Sequence, residues 1–236
     1  MTPPWMVAAL VSVIAIVWRG AIMLGPSRGT GPGLPVYFVV LAATPFVFLS
    51  REGRHGIGLH ARPGAKWALL AVVVGALAAV GVGALGSLLY GGSLDNWYVT
   101  VGETVLSDQR IRTLPTNQLF VALAVPAALF SPVGEELFFR GVLHESVAAR
   151  AGHGVAAVVS AAIFGLMHAF HHGISATPTG MDVRLVSGGI WVILTLALSL
   201  LLISIRLRSK SIWSAVLCHA AFNVAMVVFI VDSTIT

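Results

Sequence analysis

The sequence predicts an all-α fold, a polytopic transmembrane bundle of seven or eight helices. Hydrophobic residues make up 57% and charged residues 10% of the 236 residues, and the mean hydropathy is +0.93. A soluble domain carries roughly 25% charged residues, so this chain has too few charges to cover a surface that faces water. The apolar residues also form runs of about 20, the length that crosses the core of a bilayer. These observations exclude a soluble globule and a disordered chain and predict a multi-pass protein of the cell membrane, surrounded by membrane lipid.

The formal net charge of +5 does not indicate a nucleic-acid partner. In a membrane protein, a modest excess of Lys and Arg is typical of cytoplasmic loops. We therefore expect no nucleic acid among the partners. The predicted helices cover residues 5–24, 34–50, 67–90, 119–150, 152–172, 185–205 and 212–231.

The first three helices follow from uninterrupted apolar runs. We expect residues 5–24 to form an uncleaved helix, because no Lys or Arg precedes the run and no cleavage site of small residues follows it. The run 34–50 is followed by a basic, turn-rich connection, 51–66. The run 67–90 is rich in Gly and Ala, which predicts close packing against another helix. The polar stretch 91–117 then predicts an external loop or an interfacial segment.

The run 119–150 differs from the others because Pro126, Pro132 and a cluster of charges interrupt it. This pattern predicts a kinked or broken helix. If residues 119–131 span or re-enter the membrane separately, the bundle has eight helices instead of seven.

The two helices that follow residue 119 should form an antiparallel hairpin turning at Ala151 and Gly152. No internal repeat or low-complexity segment divides the chain. We therefore expect one transmembrane domain, residues 1–236, with the catalytic helices within 119–232.

Ionisable residues inside apolar runs are costly in lipid and mark functional sites when a partner can be named. Arg19 lies inside the first run without a predicted partner. Three clusters in the second half of the chain have partners. They are Glu135, Glu136 and Arg140; Phe164 and His168; and His219 and Asn223.

In the first cluster, Glu136 and Arg140 are four positions apart, so they lie on one face of a helix and can form an ion pair. Glu135 is turned about 100° from Glu136 and has no local partner. An unpaired carboxyl group inside the membrane suits a general base or acid. Glu135 is therefore the candidate catalytic carboxylate. The alternative is that both acids are structural or lie in water at the end of a helix.

His168 lies at the same depth as Glu135 if the hairpin turns as predicted. The midpoint of the turn is position 151.5. Glu135 lies 16.5 residues before this midpoint and His168 lies 16.5 residues after it. Both distances correspond to about 25 Å along the helix at 1.5 Å per residue. A carboxylate and an imidazole at one depth can share a water molecule, so we predict that His168 acts with Glu135. The alternative is a packing role for a lone histidine on an apolar helix.

His219 and Asn223 lie one turn apart on the last helix. Both side chains can donate a hydrogen bond to a developing oxyanion, and such a donor contributes roughly 10²–10³ in rate. The alternative is that they form hydrogen bonds between helices that hold the bundle together.

At these clusters the sequence resembles the CPBP family of intramembrane endopeptidases, which includes the type II CAAX prenyl endopeptidases and the Abi-type bacteriocin self-immunity proteins. The family pattern is a double Glu, three residues and Arg; then Phe, three residues and His; then His, three residues and Asn or Asp. The matching residues here are Glu135, Glu136 and Arg140, then Phe164 and His168, then His219 and Asn223. The resemblance covers roughly residues 119–232.

The resemblance implies an endopeptidase that hydrolyses a peptide bond of a membrane-associated protein or a lipid-modified peptide. It implies that Glu135 and His168 position and activate the attacking water, and that His219 and Asn223 bind the oxyanion of the tetrahedral intermediate. The other three motif residues look like the family's supporting residues. The CAAX specificity of some relatives is not carried over, because it depends on prenylation in the host.

The family has been described both as zinc metalloproteases and as metal-independent glutamic proteases. Glu135, His168 and His219 would supply a zinc site of two His and one carboxylate, yet the chain has no His-Glu-x-x-His helix. We favour the glutamic mechanism without a cofactor, with a zinc-dependent metalloprotease as the alternative. Two further hypotheses are a non-enzymatic membrane protein acting in bacteriocin immunity or as a scaffold, and a proton-coupled transporter that uses the same Glu and His.

Overall fold

The computed structural model describes residues 4–26, 31–177 and 180–235, most of which are helical. The α-helices in these ranges are α1 (Pro4–Leu24), α2 (Gly33–Phe48), α3 (Arg51–Gly56), α4 (Ala65–Tyr90), α5 (Trp97–Leu106), α6 (Gln109–Arg112), α7 (Thr116–Glu135), α8 (His144–Met167), α9 (Leu185–Ser209) and α10 (Ile212–Ile235). A π-helical segment, Glu136–Leu143, connects α7 to α8, and a 3₁₀ turn, His168–Phe170, follows α8. Two short strands, β1 (Ile174–Thr177) and β2 (Gly180–Val183), pair antiparallel.

The helices confirm an all-helical membrane bundle. Within the described part of the chain, five helical runs are long and apolar enough to cross a membrane, and the apolar helix α2 is shorter. The long runs are Trp5–Leu24, Ala65–Tyr90, Thr116–Phe170, Leu185–Ser209 and Ile212–Asp232. The number of crossings, seven or eight, stays a prediction.

The run Thr116–Phe170 reverses direction at Gly152, whose φ of 80° and ψ of 163° interrupt the helix. A positive φ of this kind favours glycine, which lacks a Cβ. The two arms then pack against each other, since the Ser160 hydroxyl donates to the Phe139 carbonyl at 2.8 Å and the rings of Phe139 and Phe164 meet edge to face at 5.2 Å. The chain therefore turns where the sequence predicts the hairpin, and both arms carry residues of the candidate site.

Helix α4 packs closely on α10 through a row of small residues. Ala71, Gly75, Ala79 and Gly83 are buried at intervals of four, which places them on one helix face. A Cβ at Gly75 would collide with the backbone carbonyl of Cys218, so only glycine allows this approach. The close packing predicted from the Gly and Ala content is present.

The outer faces of the bundle expose large apolar side chains. The side chains of Val17 on α1, Leu77 on α4 and Ile193 on α9 are 65%, 64% and 65% exposed. Contiguous apolar surface of this kind is not stable in water. These faces are therefore the ones that lipid covers.

Two parts of the fold differ from the sequence prediction. The β1–β2 hairpin was not expected in an all-α chain, and its four-residue strands are too short to give an alternating pattern. The polar stretch 91–117 contains α5 and α6, and α5 buries Trp97 and Tyr98. The Trp97 ring stacks on Trp191 of α9 at 5.9 Å, so this segment packs onto the bundle.

Candidate active site

The first motif lies where α7 changes into the π-helical segment. Glu135 is the last residue of α7, and Glu136 and Arg140 lie in the segment, whose eight residues are all buried. A π-helical turn contains one residue more than an α-helical turn, and such turns are frequent at functional sites. The local geometry here directs two carboxylates and a guanidinium into the interior of the bundle.

Glu136 forms the ion pair predicted with Arg140, and it also binds a third residue. Its Oε1 lies 3.0 Å from Nη1 of Arg140 and 2.8 Å from Nδ1 of His219. An ionised carboxylate accepts only, so Nδ1 of His219 carries the proton and donates it. The carboxylate of Glu136 therefore fixes the orientation of the His219 ring.

The Arg140 guanidinium is fully buried and lies over the Phe164 ring, with Cζ 4.3 Å from the ring centroid. Apart from the ion pair with Glu136, its nitrogens have no hydrogen-bond acceptor within the residues that the structure describes. Burial of a charge with so few partners is costly. Phe164 and Glu136 together hold this cation in place.

Glu135 has partners that the sequence analysis did not predict. One carboxylate oxygen lies 3.7 Å from Nη1 of Arg19. The other lies 3.8 Å from Nε2 of His219 and accepts from the Ser131 hydroxyl at 3.4 Å. The expectation of an unpaired carboxyl was wrong because its neighbours come from other helices and from one turn earlier on α7.

Arg19 is a candidate-site residue whose partners the sequence analysis missed. Its side chain is 2% exposed, and its guanidinium carbon lies 5.6 Å and 5.2 Å from the ring centroids of Tyr37 and Phe38. One terminal nitrogen also contacts Nε2 of His171. The available signal was a single charge inside an apolar run, which marks an intramembrane site but does not identify the partner.

His168 begins the 3₁₀ turn after α8 and is 7% exposed. Its Nδ1 lies 2.7 Å from the Phe164 carbonyl, which can only accept, so the proton is on Nδ1 and Nε2 is left with a lone pair. Trp191 donates from Nε1 to the His168 carbonyl at 3.1 Å. These two bonds fix both the backbone and the ring of His168.

Asn223 lies on α10, one turn after His219. Its amide nitrogen donates to the Ala127 carbonyl of α7 at 3.0 Å. An amide nitrogen carries two hydrogens, so one remains for another acceptor. Asn223 thus links two helices and still presents a donor.

A cavity of about 360 Å³ brings these residues together. Most of its walls are apolar, and its polar lining residues are Arg19, Ser131, His168, His171, Thr195, His219 and Asn223. Glu135 is 0% exposed and does not line the cavity. It lies directly behind the wall, in contact with Arg19, Ser131 and His219. In the described part of the chain no hydrogen bond or ion pair joins Glu135 to His168.

The arrangement does not supply three converging metal ligands at this cavity. Glu135 and His219 lie close together, but in the described ranges Glu135, His168 and His219 do not form a group whose ligand atoms all lie within 4.8 Å of one another. These residues therefore do not fit a zinc site of two His and one carboxylate.

Comparison with known proteins places the site within one family domain. Residues 117–225 match the family described as "Type II CAAX prenyl endopeptidase Rce1-like". Neither the curated proteins nor the solved structures yield a match to the chain. The matched range contains all seven motif residues, while Arg19 lies outside it.

Proposed function

Because residues 117–225 match the type II CAAX prenyl endopeptidase Rce1-like family, we propose that the protein is an intramembrane endopeptidase of the glutamic type. The family supports a membrane protease of the CAAX type in general. The observation that supports the finer assignment is the apolar cavity onto which His168, His219 and Asn223 converge, with Glu135 immediately behind its wall. Apolar walls suit the lipid-modified or membrane-embedded part of a substrate.

The attacking water binds in the cavity between the lone pair on Nε2 of His168 and the carboxylate of Glu135. Glu135 takes a proton from the water as its oxygen attacks the carbonyl carbon of the scissile bond. The same proton later passes to the leaving amine, which restores the carboxylate. His168 holds the water in line, and its own ring is held by the Phe164 carbonyl. General base catalysis of this kind contributes roughly 10²–10⁴ in rate.

The Glu135 side chain moves a short distance before it reacts, because its carboxylate is enclosed before substrate enters. Ser131, which lies between Glu135 and the cavity and contacts the carboxylate at 3.4 Å, offers the route. Rotation of the Glu135 side chain past the small serine brings an oxygen to the cavity wall. Catalytic contacts often tighten only in the complex with substrate.

The oxyanion of the tetrahedral intermediate accepts from Asn223 and from Nε2 of His219. Nδ1 of His219 donates to Glu136, so donation from Nε2 requires the doubly protonated imidazolium. Glu136 and Glu135 face the two nitrogens of this ring, at 2.8 Å from Nδ1 and 3.8 Å from Nε2. Glu136 is then a positioning residue that acts through His219.

Arg19 supports the base from outside the matched domain. Its guanidinium nitrogen lies 3.7 Å from one carboxylate oxygen of Glu135, so the attraction between the two groups holds the carboxylate in position. The aromatic rings of Tyr37 and Phe38 hold the guanidinium in position. Helix α1 is therefore part of the active site.

Substrate trapping tests this function and identifies the substrate in the same experiment. Glu135→Gln keeps the shape of the side chain and removes the base, so it should retain bound peptide that the native enzyme would release. Peptides that copurify with this variant are identified, synthesised and offered to the native protein in liposomes. Glu52→Gln, a change at an exposed acid on α3, is the matched control.

We expect the native protein and the Glu52→Gln control to cleave the trapped peptide, and Glu135→Gln and His168→Ala to leave it intact. Cleavage at the native rate by either active-site variant would refute the catalytic assignment and favour the non-enzymatic scaffold or immunity protein. His153 lies with His144 and Glu145 in a separate group of potential metal ligands, so the metal test uses a variant that lacks His153. Loss of its activity with a chelator that zinc restores would refute the glutamic mechanism.

A further inference from the structure

A second cluster of potential ligands lies at the turn of the helical hairpin, away from the cavity. In the described ranges, His144, Glu145 and His153 form the group whose ligand atoms all lie within 4.8 Å of one another. His144 and Glu145 begin α8, and His153 follows the reversal at Gly152. His144 is nine residues after Glu135, about 13 Å along the helix, so the cluster is separate from the catalytic residues.

The two imidazoles face each other in a way that suits a shared ion. Nε2 of His144 lies 3.1 Å from Nδ1 of His153. Two nitrogens bound to one tetrahedral zinc at about 2.0–2.1 Å lie about 3.3 Å apart, so a small rotation of one ring directs both lone pairs to one ion. His153 is exposed and its ring stacks on that of His144 at 5.3 Å, whereas His144 is fully buried.

Glu145 completes the group and ties it to the rest of the bundle. One of its oxygens accepts from Arg206 of α9 at 2.7 Å, which leaves the other oxygen for an ion. Arg206 also donates to the Gly56 carbonyl of α3 at 3.1 Å. The positive charge of the Arg206 guanidinium repels a nearby cation. Its ion pair with Glu145 and its hydrogen bond to the backbone reduce this repulsion.

We propose that His144, Glu145 and His153 bind one divalent transition-metal ion of the zinc class. Two imidazoles and a carboxylate are the usual protein ligands of zinc when a water occupies the fourth position. The ion joins the two arms of the hairpin, one of which carries Glu135 and Glu136 and the other His168. It therefore fixes the hairpin and takes no part in hydrolysis.

An ion at this site would make activity depend on metal although no metal takes part in hydrolysis. Removal of the ion loosens the hairpin and lowers activity indirectly, so inhibition by a chelator is expected even in a glutamic protease. The proposal does not depend on proteolysis, since metal binding is measured without a substrate.

The test measures metal bound by the purified chain in detergent after the protein has been stripped with a chelator and reloaded with Zn²⁺ or Co²⁺. Metal content gives the stoichiometry, and the visible absorption of Co²⁺ reports its coordination by nitrogen and oxygen ligands. The variants are His153→Ala and Glu145→Gln at the proposed site and Glu135→Gln at the active site. His60→Ala is the matched control, because His60 is also exposed and also lies beside another histidine, His55.

We expect one equivalent of metal in the native protein, in His60→Ala and in Glu135→Gln. We expect at least a tenfold weaker binding in His153→Ala and Glu145→Gln, with the Co²⁺ bands lost in His153→Ala. Thermal unfolding of each variant confirms that it is folded. Absence of binding in the native protein, equal binding in His153→Ala, or loss of binding in Glu135→Gln would each overturn the proposal, and the last result would place the metal at the catalytic cluster.

Discussion

Glu136→Leu is the substitution with the most specific predicted consequences, because Glu136 holds two other buried residues. It removes the carboxylate that lies 3.0 Å from Arg140 and 2.8 Å from His219. Breaking a buried ion pair from one side costs about 3–5 kcal/mol, since the remaining charge is left uncompensated. We expect a loss of this size in the free energy of unfolding, because the Arg140 guanidinium would retain mainly its contact with the Phe164 ring.

A double-mutant cycle with Arg140→Met separates stability from activity. Replacing both members of a buried pair by apolar residues of similar volume is often nearly neutral. The double variant should therefore be more stable than the sum of the two single losses predicts, by about 0.5–3 kcal/mol. It should nevertheless stay inactive, because His219 lacks the acceptor that orients its ring, and a displacement of about 1 Å can cost about 10²-fold in rate.

The measurements are denaturant unfolding in detergent micelles, followed by tryptophan fluorescence, and cleavage of the trapped peptide. Arg140→Met alone keeps the contact between Glu136 and His219, so it should retain more activity than Glu136→Leu at equal folded fraction. Additive losses of stability would refute the reasoning about the buried ion pair. Native activity in the double variant would refute the positioning role of Glu136.

Three further predictions concern residues around the cavity and beyond it. Arg19→Met should lower kcat by up to about 10²-fold, because the Glu135 carboxylate loses the group that positions it. A native kcat would contradict this role. Asn223→Ala should lower kcat by about 10²–10³ with little change in KM, measured by steady-state kinetics in liposomes; a rise in KM alone would instead indicate substrate binding. Burial and then Arg184 lower the pKa of His172 from 6.5 to about 4, so His172 is neutral in the folded protein. The free energy of unfolding should fall as pH is lowered from about 6.5 towards 4, and it should fall further in the native protein than in His172→Gln. Identical pH dependence of the free energy of unfolding in the two proteins would refute this.

The sequence was sufficient to predict the helices and the main contacts made along one helix. Apolar runs of bilayer length appear as α1, α4, α9 and α10, because in lipid a helix satisfies all of its backbone hydrogen bonds internally. The ion pair of Glu136 with Arg140 followed from a spacing of four residues.

Contacts between distant helices could not be predicted in the same way. Arg19 and Glu135 are 116 positions apart, and Glu136 and His219 are 83 apart. Their meeting depends on which face each helix turns towards the others, and periodicity is weak in helices that are apolar on all sides. The sequence left the charge at Arg19 unexplained, and the packing of α1 against the hairpin identified its partner.

The π-helical segment and the β1–β2 hairpin were missed for local reasons. A π-helical turn has no distinctive residue pattern of its own, so the charges and prolines of 119–150 predicted a kink or a break but did not predict the π-helical segment Glu136–Leu143. Strands of four residues are close to the shortest that occur. Both features lie beside residues of the site, so they affect its geometry even though the composition does not reveal them.

The most direct test of the central claim is hydrolysis of the trapped peptide by the native protein and by Glu135→Gln in liposomes, after each has been shown to be folded. We predict a single cleavage of the peptide by the native protein and none above background by Glu135→Gln. Equal rates in the two proteins would contradict the assignment of Glu135 as the base that activates water.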